Sequence, residues 1–218
     1  ILLLLTLIVG LSACNDTEDP GPSTSVCSTM VTYDGERLGY GIMFSYTMEE
    51  QGSDHTVNLW SNASFKDEVA TGTRLVLNYR YAEGGSFPDD GLIEIISAQK
   101  AYTAELATID EAPALTTLAP IGVNVLVRSG KYIDLWCRLA MVEGREFTIE
   151  FDATTENTAN PTLYISTTVP EDKPTGYATN YAASFDISEL WDNPATQTLT
   201  VKINNSNNPR YSTFNFTK

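Results

Sequence analysis

Apolar residues follow two rhythms along this chain. The first is an unbroken run, Ile1-Leu2-Leu3-Leu4-Leu5-Thr6-Leu7-Ile8-Val9-Gly10, closed by Leu11-Ser12-Ala13-Cys14. The second is an alternation of period two that starts near Val26 and predicts strands, because successive side chains of a strand point to opposite faces. Tyr40, Ile42, Phe44, Tyr46 and Met48 alternate with Gly39, Gly41, Met43, Ser45 and Thr47. Val57-Asn58-Leu59-Trp60 follows a polar turn, and Leu75, Leu77, Tyr79 and Tyr81 alternate next. Pro88-Asp89-Asp90-Gly91 is a turn signal that opens a β-like run from Leu92 to Ala104. With Val26 to Tyr33, these segments make about five strands, the number in a small, partly open barrel of the OB type.

The alternation breaks between Glu105 and Pro120, where Pro113 and Pro120 bracket a mixed stretch. It resumes in short strands: Val123 to Val127, Ile133 to Leu139, Phe147 to Phe151, Leu163 to Ile165, Tyr177 to Phe185, Leu199 to Ile203, and Phe214 to Phe216. Short strands at this spacing predict a sandwich. Asp186, with Glu189 three residues on, is a capping-box signature and predicts one short helical turn that ends at Asn193-Pro194. The expected architecture is all-β: an OB-like, partly open barrel over 26–104, a linker over 105–120, and an antiparallel β-sandwich of about seven strands over 121–218.

The opening run has its own chemistry. At roughly ten residues it is too short to span a bilayer, which needs about 20, and it has the length of a signal-peptide core. Small residues at Ser12 and Ala13 suit a peptidase site, and the Cys after them can accept a thioether-linked diacylglycerol. This is the lipobox pattern of a bacterial lipoprotein. The expectation is a signal peptide over 1–13, truncated at its start, with Cys14 as the lipid-attachment site. Residues 14–25 then form a flexible tether, acidic at first and afterwards rich in Pro, Gly and Ser. Two or more acyl chains would hold the protein stably at a membrane.

Charge narrows the partners. Asp and Glu outnumber Lys and Arg by 28 to 13, for a net charge of −15. Residues 15–104 carry 14 acids against 5 bases, and residues 105–218 carry 14 against 8. Neither half has a basic footprint for a phosphate backbone, so nucleic acid is not an expected partner. Beyond Cys14 only Cys27 and Cys137 remain. In an exported protein such a pair invites a disulfide, yet the two lie in different predicted domains. Cys137 falls on the apolar phase of its strand, where a free thiol acts as a small hydrophobe. The pairing stays open at this point.

His55 is the sole histidine, which rules out multi-His zinc sites within one chain, and its place in a polar turn beside Asp54 reads as an exposed loop residue. Adjacent acids at Glu49-Glu50, Asp89-Asp90, Asp110-Glu111 and Glu171-Asp172 read as solvated turn charge. No nucleophile elbow, phosphate loop or dinucleotide fingerprint is present. No catalytic residue, metal or cofactor is therefore expected. The sharpest candidate is a surface constellation. If Ile133, Leu135, Cys137 and Leu139 point inward, then Asp134, Trp136 and Arg138 point outward, as do Glu146, Thr148, Glu150 and Tyr164 on neighbouring strands. Trp136 between Asp134 and Arg138 could stack on a sugar ring or a partner side chain. The stronger readings are that it covers a cross-strand neighbour or packs against the first domain.

Four segments in order resemble the NigD-like lipoproteins of the Bacteroidota: Leu59-Trp60-Ser61-Asn62, Gly72 through Tyr79, Gly130-Lys131-Tyr132-Ile133-Asp134-Leu135, and Ser184-Phe185-Asp186-Ile187. The resemblance implies an OB-like domain, a C-terminal sandwich, a lipid anchor and no established catalytic role. It also suggests immunity to a bacteriocin. Asn15-Asp16-Thr17-Glu18-Asp19 is a weaker form of the acidic run that many relatives carry after the lipidated Cys, where it looks like a signal for display on the outer face of the outer membrane. The expected function is a lipid-anchored, non-catalytic binding or accessory protein of the outer membrane. Its partner would be a protein or an extracellular glycan, and the alternative is an immunity or envelope-protection factor.

Overall fold

Strand after strand buries the phase that the alternation marks, and the chain divides into two compact units. The computed structural model describes residues 25–50, 52–82, 86–171 and 173–218. The first unit comprises the described residues through Tyr46 together with Val57–Lys100; the second comprises Thr47–Thr56 and Ala101–Lys218.

β1 (Cys27–Arg37), β2 (Gly41–Glu50), β3 (Ser53–Ser61), β4 (Arg74–Tyr81) and β5 (Gly91–Lys100) form a barrel in the order β1-β2-β3-β5-β4, which makes up the first unit apart from the end of β2 and the start of β3. Ile42, Phe44 and Tyr46 of β2 face its core with Val57 and Leu59 of β3 and Leu75, Leu77, Tyr79 and Tyr81 of β4. The barrel is closed rather than partly open. Closure comes from the length of β1, which pairs with β4 through Cys27–Thr32 and with β2 through Thr32–Arg37. The register slips between Tyr33 and Gly35, and Gly35 sits at a φ of 97°. A bulge of this kind bends a strand so that it can serve two neighbours. Gly41 is required for another reason: a Cβ there would lie 2.2 Å from the Ser61 carbonyl oxygen.

The second unit stacks two sheets. One holds β6 (Leu106–Ile109), β9 (Glu146–Asp152), β10 (Thr162–Thr168), β12 (Thr198–Ile203) and β13 (Thr213–Thr217), in the order β13-β12-β10-β9-β6. The other holds β7 (Gly122–Ser129), β8 (Tyr132–Ala140) and β11 (Ala178–Asp186), in the order β11-β8-β7. Ile133, Leu135, Cys137 and Leu139 of β8 meet Phe147, Ile149, Leu163, Ile165, Val201 and Ile203 of the opposite sheet in one apolar core.

Two expectations change here. Residues 105–120 are not only a linker, because they contain β6, which pairs with β9 from Leu106↔Ile149 to Ile109↔Asp152. The sandwich is also mixed rather than wholly antiparallel, since β6–β9 and β10–β12 are parallel pairs. Parallel neighbours need a crossover. The β7–β8 hairpin supplies one and β11 the other, each on the opposite sheet. The short helix α1 spans Ser188–Trp191, where a helical turn was expected. Its cap differs: Asp186 accepts a hydrogen bond from the Ser188 amide at 2.8 Å, while Ile187 is the N-cap residue, so the reciprocal capping box does not form. Cys27 and Cys137 are both buried and are not joined to each other by a disulfide.

Candidate functional site

The predicted constellation on β8 divides into three different environments. Asp134 is buried, at 3% exposure, rather than presented to solvent. It lies opposite Ser184 on β11 and Val127 on β7, and the Ser184 hydroxyl donates to its carboxylate at 2.6 Å. The physical reason is position in the sheet. β8 is the middle strand, and a middle strand can be covered on both faces, so period two assigns a face without making that face wet. Trp136 is half-buried between Val125 and Ala182, and Arg138 is exposed opposite Asn180. The register thus sets Trp136 between two smaller cross-strand neighbours. Asp134, Trp136 and Arg138 do not make one exposed platform.

A more concave arrangement lies elsewhere in the second unit. Before the chain enters β6, the Tyr102 amide donates to the Ala182 carbonyl at 2.9 Å, and the Ser184 amide donates to the Tyr102 carbonyl at 2.8 Å. This bridge to β11 clamps the Tyr102 backbone. Its ring stands 5.5 Å from both Phe147 and Tyr181, and 44% of the residue stays exposed. Beyond it is an open cleft of about 460 Å³, lined by Tyr102, Thr103, Glu105, Arg145, Glu146 and Glu150 among others. That volume lies within the range of small-molecule sites, about 300–1,000 Å³.

Arg145 is placed by a tight turn, in which Gly144 has a φ of 77° and a Cβ would lie 3.0 Å from Pro170. One terminal nitrogen of Arg145 donates to the Thr167 hydroxyl at 2.7 Å and the other to the Ala140 carbonyl at 3.1 Å. The guanidinium carbon sits 5.9 Å from the centre of the Tyr181 ring. The cation is thus held by the protein itself, while Glu105 and Glu146 are exposed at the rim. Glu146, Thr148 and Glu150 were readable as one face of a strand. Tyr102 and Arg145 were not, because only the bridge to β11 and the turn at Gly144 bring them to the same opening.

Burial pushes the Cys137 thiol up to about 12, with Arg145 pulling weakly the other way, and a nucleophilic cysteine needs the opposite shift. His55 is exposed on β3. Among the described residues no group of three or more His, Cys, Asp or Glu side chains could hold a metal ion. Cys14, the lipid-attachment residue expected from sequence, lies outside the described residues.

No family model matches the chain, and neither does any curated protein. Solved structures do. A Bacteroides vulgatus protein of unknown function (DUF1344) matches at a TM-score of 0.61 and 13% identity, covering 89% of this chain and 90% of its own. A Bacteroides fragilis protein inferred to be a lipoprotein matches at a TM-score of 0.56 and 14% identity, covering 89% and 96%. The chain shares their fold. A NigD-like immunity protein from Bacteroides caccae aligns less well, at a TM-score of 0.47 and 15% identity over 84% and 86% of the two chains.

Proposed function

We propose that this chain is a lipid-anchored, non-catalytic accessory protein of the cell envelope that binds a protein or an extracellular glycan. The observation that carries the reading is the lipobox Leu11-Ser12-Ala13-Cys14, followed at once by an acidic and then Pro/Gly/Ser-rich tether. Such a leader places a folded body at a membrane surface and leaves it free to meet a partner. Two further points support it: the fold is shared with a protein inferred to be a lipoprotein, and the second unit holds a cleft whose side chains suit binding. The weak acidic run after Cys14 favours the outer membrane and display on its outer face.

The test is retention. Purified mature chain is applied to an array of oligosaccharides and, separately, used to capture cross-linked partners from envelope extracts. Binding in either assay supports the reading, and silence in both overturns it. The ordered segments shared with NigD-like lipoproteins favour a second reading, immunity. Under that reading, deleting the protein sensitises cells to a co-produced toxin.

A further inference from the structure

We propose that the cleft beside Tyr102 is a saccharide subsite selective for neutral or amino-bearing sugars over acidic ones. This assignment rests on the binding reading above and gives it a location and a ligand class. Four observations lead to it.

The first is a fixed aromatic platform. Tyr102 is held through backbone hydrogen bonds on both sides, and its ring is braced by Phe147 and Tyr181 while nearly half of the residue remains open. A braced, half-exposed aromatic face is suited to stack on the C–H face of a pyranose and has little freedom left to lose on binding. The second is the rim. Glu105, Glu146 and Glu150 are acceptors, and Thr103 and Thr148 add hydroxyls. Carboxylates accept strong, charge-assisted hydrogen bonds from sugar hydroxyls or from an ammonium group.

The third is the state of Arg145. Two of its five N–H donors, one on each terminal nitrogen, already serve the protein, and the buried Nε is out of a ligand's reach, so the cation is largely committed to the protein. With three carboxylates around one committed cation, an acidic sugar would meet like charge. The fourth is spacing. Glu146, Thr148 and Glu150 share one face of β9, and at about 3.3 Å per residue the backbone positions of the two glutamates are roughly 13 Å apart along the strand. That length suits a short oligosaccharide lying along β9 better than a single compact ligand.

The experiment is calorimetric titration of lipid-free mature chain carrying Cys14→Ser. The probes are maltohexaose, cellohexaose, mannohexaose, a chitosan hexamer, an oligogalacturonate and a hexalysine peptide. The expected result is saturable binding of one or more of the first four and none of the oligogalacturonate. Glu105→Ala and Glu146→Ala should each weaken that binding about tenfold, since each removes one charge-assisted hydrogen bond. Both residues are exposed, so these variants keep the fold if Tyr102→Ala does not. Tyr102→Ala should abolish binding, and Trp136→Ala should leave it unchanged. Tighter binding of oligogalacturonate or of hexalysine overturns the proposal, as does sugar binding that ignores the cleft variants. If no saccharide binds but a protein partner is retained, the accessory-binding reading stands and the cleft assignment falls. If neither is retained, both fall.

Discussion

Arg128 should reveal an asymmetry between the two ends of one ion pair. Its side chain is 4% exposed, and its terminal nitrogens donate to the Asp54 carboxylate at 3.0 and 2.5 Å. Glu49 stands 3.6 Å away, the Gly130 carbonyl accepts at 2.9 Å, and the guanidinium carbon lies 4.4 Å from the centre of the Trp191 ring. Asp54 by contrast is 42% exposed, so it loses little hydration in the pair. Removing the exposed partner therefore leaves a buried charge behind, whereas removing the buried partner leaves a carboxylate that water can serve. Breaking a buried pair by deleting one partner costs about 3–5 kcal/mol, and with Glu49 still near Arg128 we expect about 2–3 kcal/mol for Asp54→Asn.

Arg128→Met removes the charge together with its desolvation cost and keeps an apolar stem on Trp191, so about 0–2 kcal/mol is expected. Urea unfolding of the mature chain, followed by tryptophan fluorescence, measures both. With an m-value of about 2–3 kcal/mol per molar, Asp54→Asn lowers the midpoint by about 1 M. The pH dependence has a definite sign. Arg128 holds the Asp54 carboxyl below the usual carboxylate range, so the stability it contributes is present above the unfolded value, about 3.9, and is lost as pH falls through the lower folded value. The gap between wild type and Asp54→Asn should therefore close in acid. An Arg128→Met variant less stable than Asp54→Asn at neutral pH would refute the reasoning.

Two further predictions separate buried from exposed groups. Asp134→Ala should cost about 1–3 kcal/mol by leaving the buried Ser184 hydroxyl without its acceptor, whereas Arg138→Ala, four residues along the same strand and exposed, should stay within about 0.5 kcal/mol; thermal melts of both variants check this. Cys137 should not react with iodoacetamide in the native protein at mildly alkaline pH, and should react once it is denatured, as mass spectrometry will show. For Cys137 the folded thiol titrates far above the ordinary value of 9.0, so its contribution to stability is intact below about pH 9 and declines above it, where the unfolded chain ionises first.

The core was legible because alternation is a direct consequence of strand geometry. Ile42, Phe44, Tyr46, Ile133, Leu135 and Cys137 are all buried on the phase that the sequence marks. What alternation does not carry is whether the opposite face is covered. Asp134 looked like Trp136 and Arg138 in sequence, yet it is buried and accepts a hydrogen bond from Ser184, a residue 50 positions away. β6 was unreadable because four residues, Leu106-Ala107-Thr108-Ile109, are too few to show a period, and its pairing partner β9 begins 37 positions after Ile109. Barrel closure depended on β1 serving two neighbours, a property of the bulge near Gly35. The cleft could be glimpsed in Glu146 and Glu150, but Tyr102 and Arg145 meet there through long-range pairing alone. Cys14 is the reverse case: the lipid attachment expected there is read from adjacent residues alone, and it lies outside the described residues.

The central claim is the anchor, and metabolic labelling tests it most directly. Cells expressing the full-length protein are grown with an alkynyl palmitate analogue, and the immunoprecipitated chain is probed for label beside a Cys14→Ala variant. Label on the wild type, absent from Cys14→Ala, together with membrane fractionation of the wild type alone, is the predicted result. An unlabelled wild-type chain, or equal label on Cys14→Ala, would contradict the account.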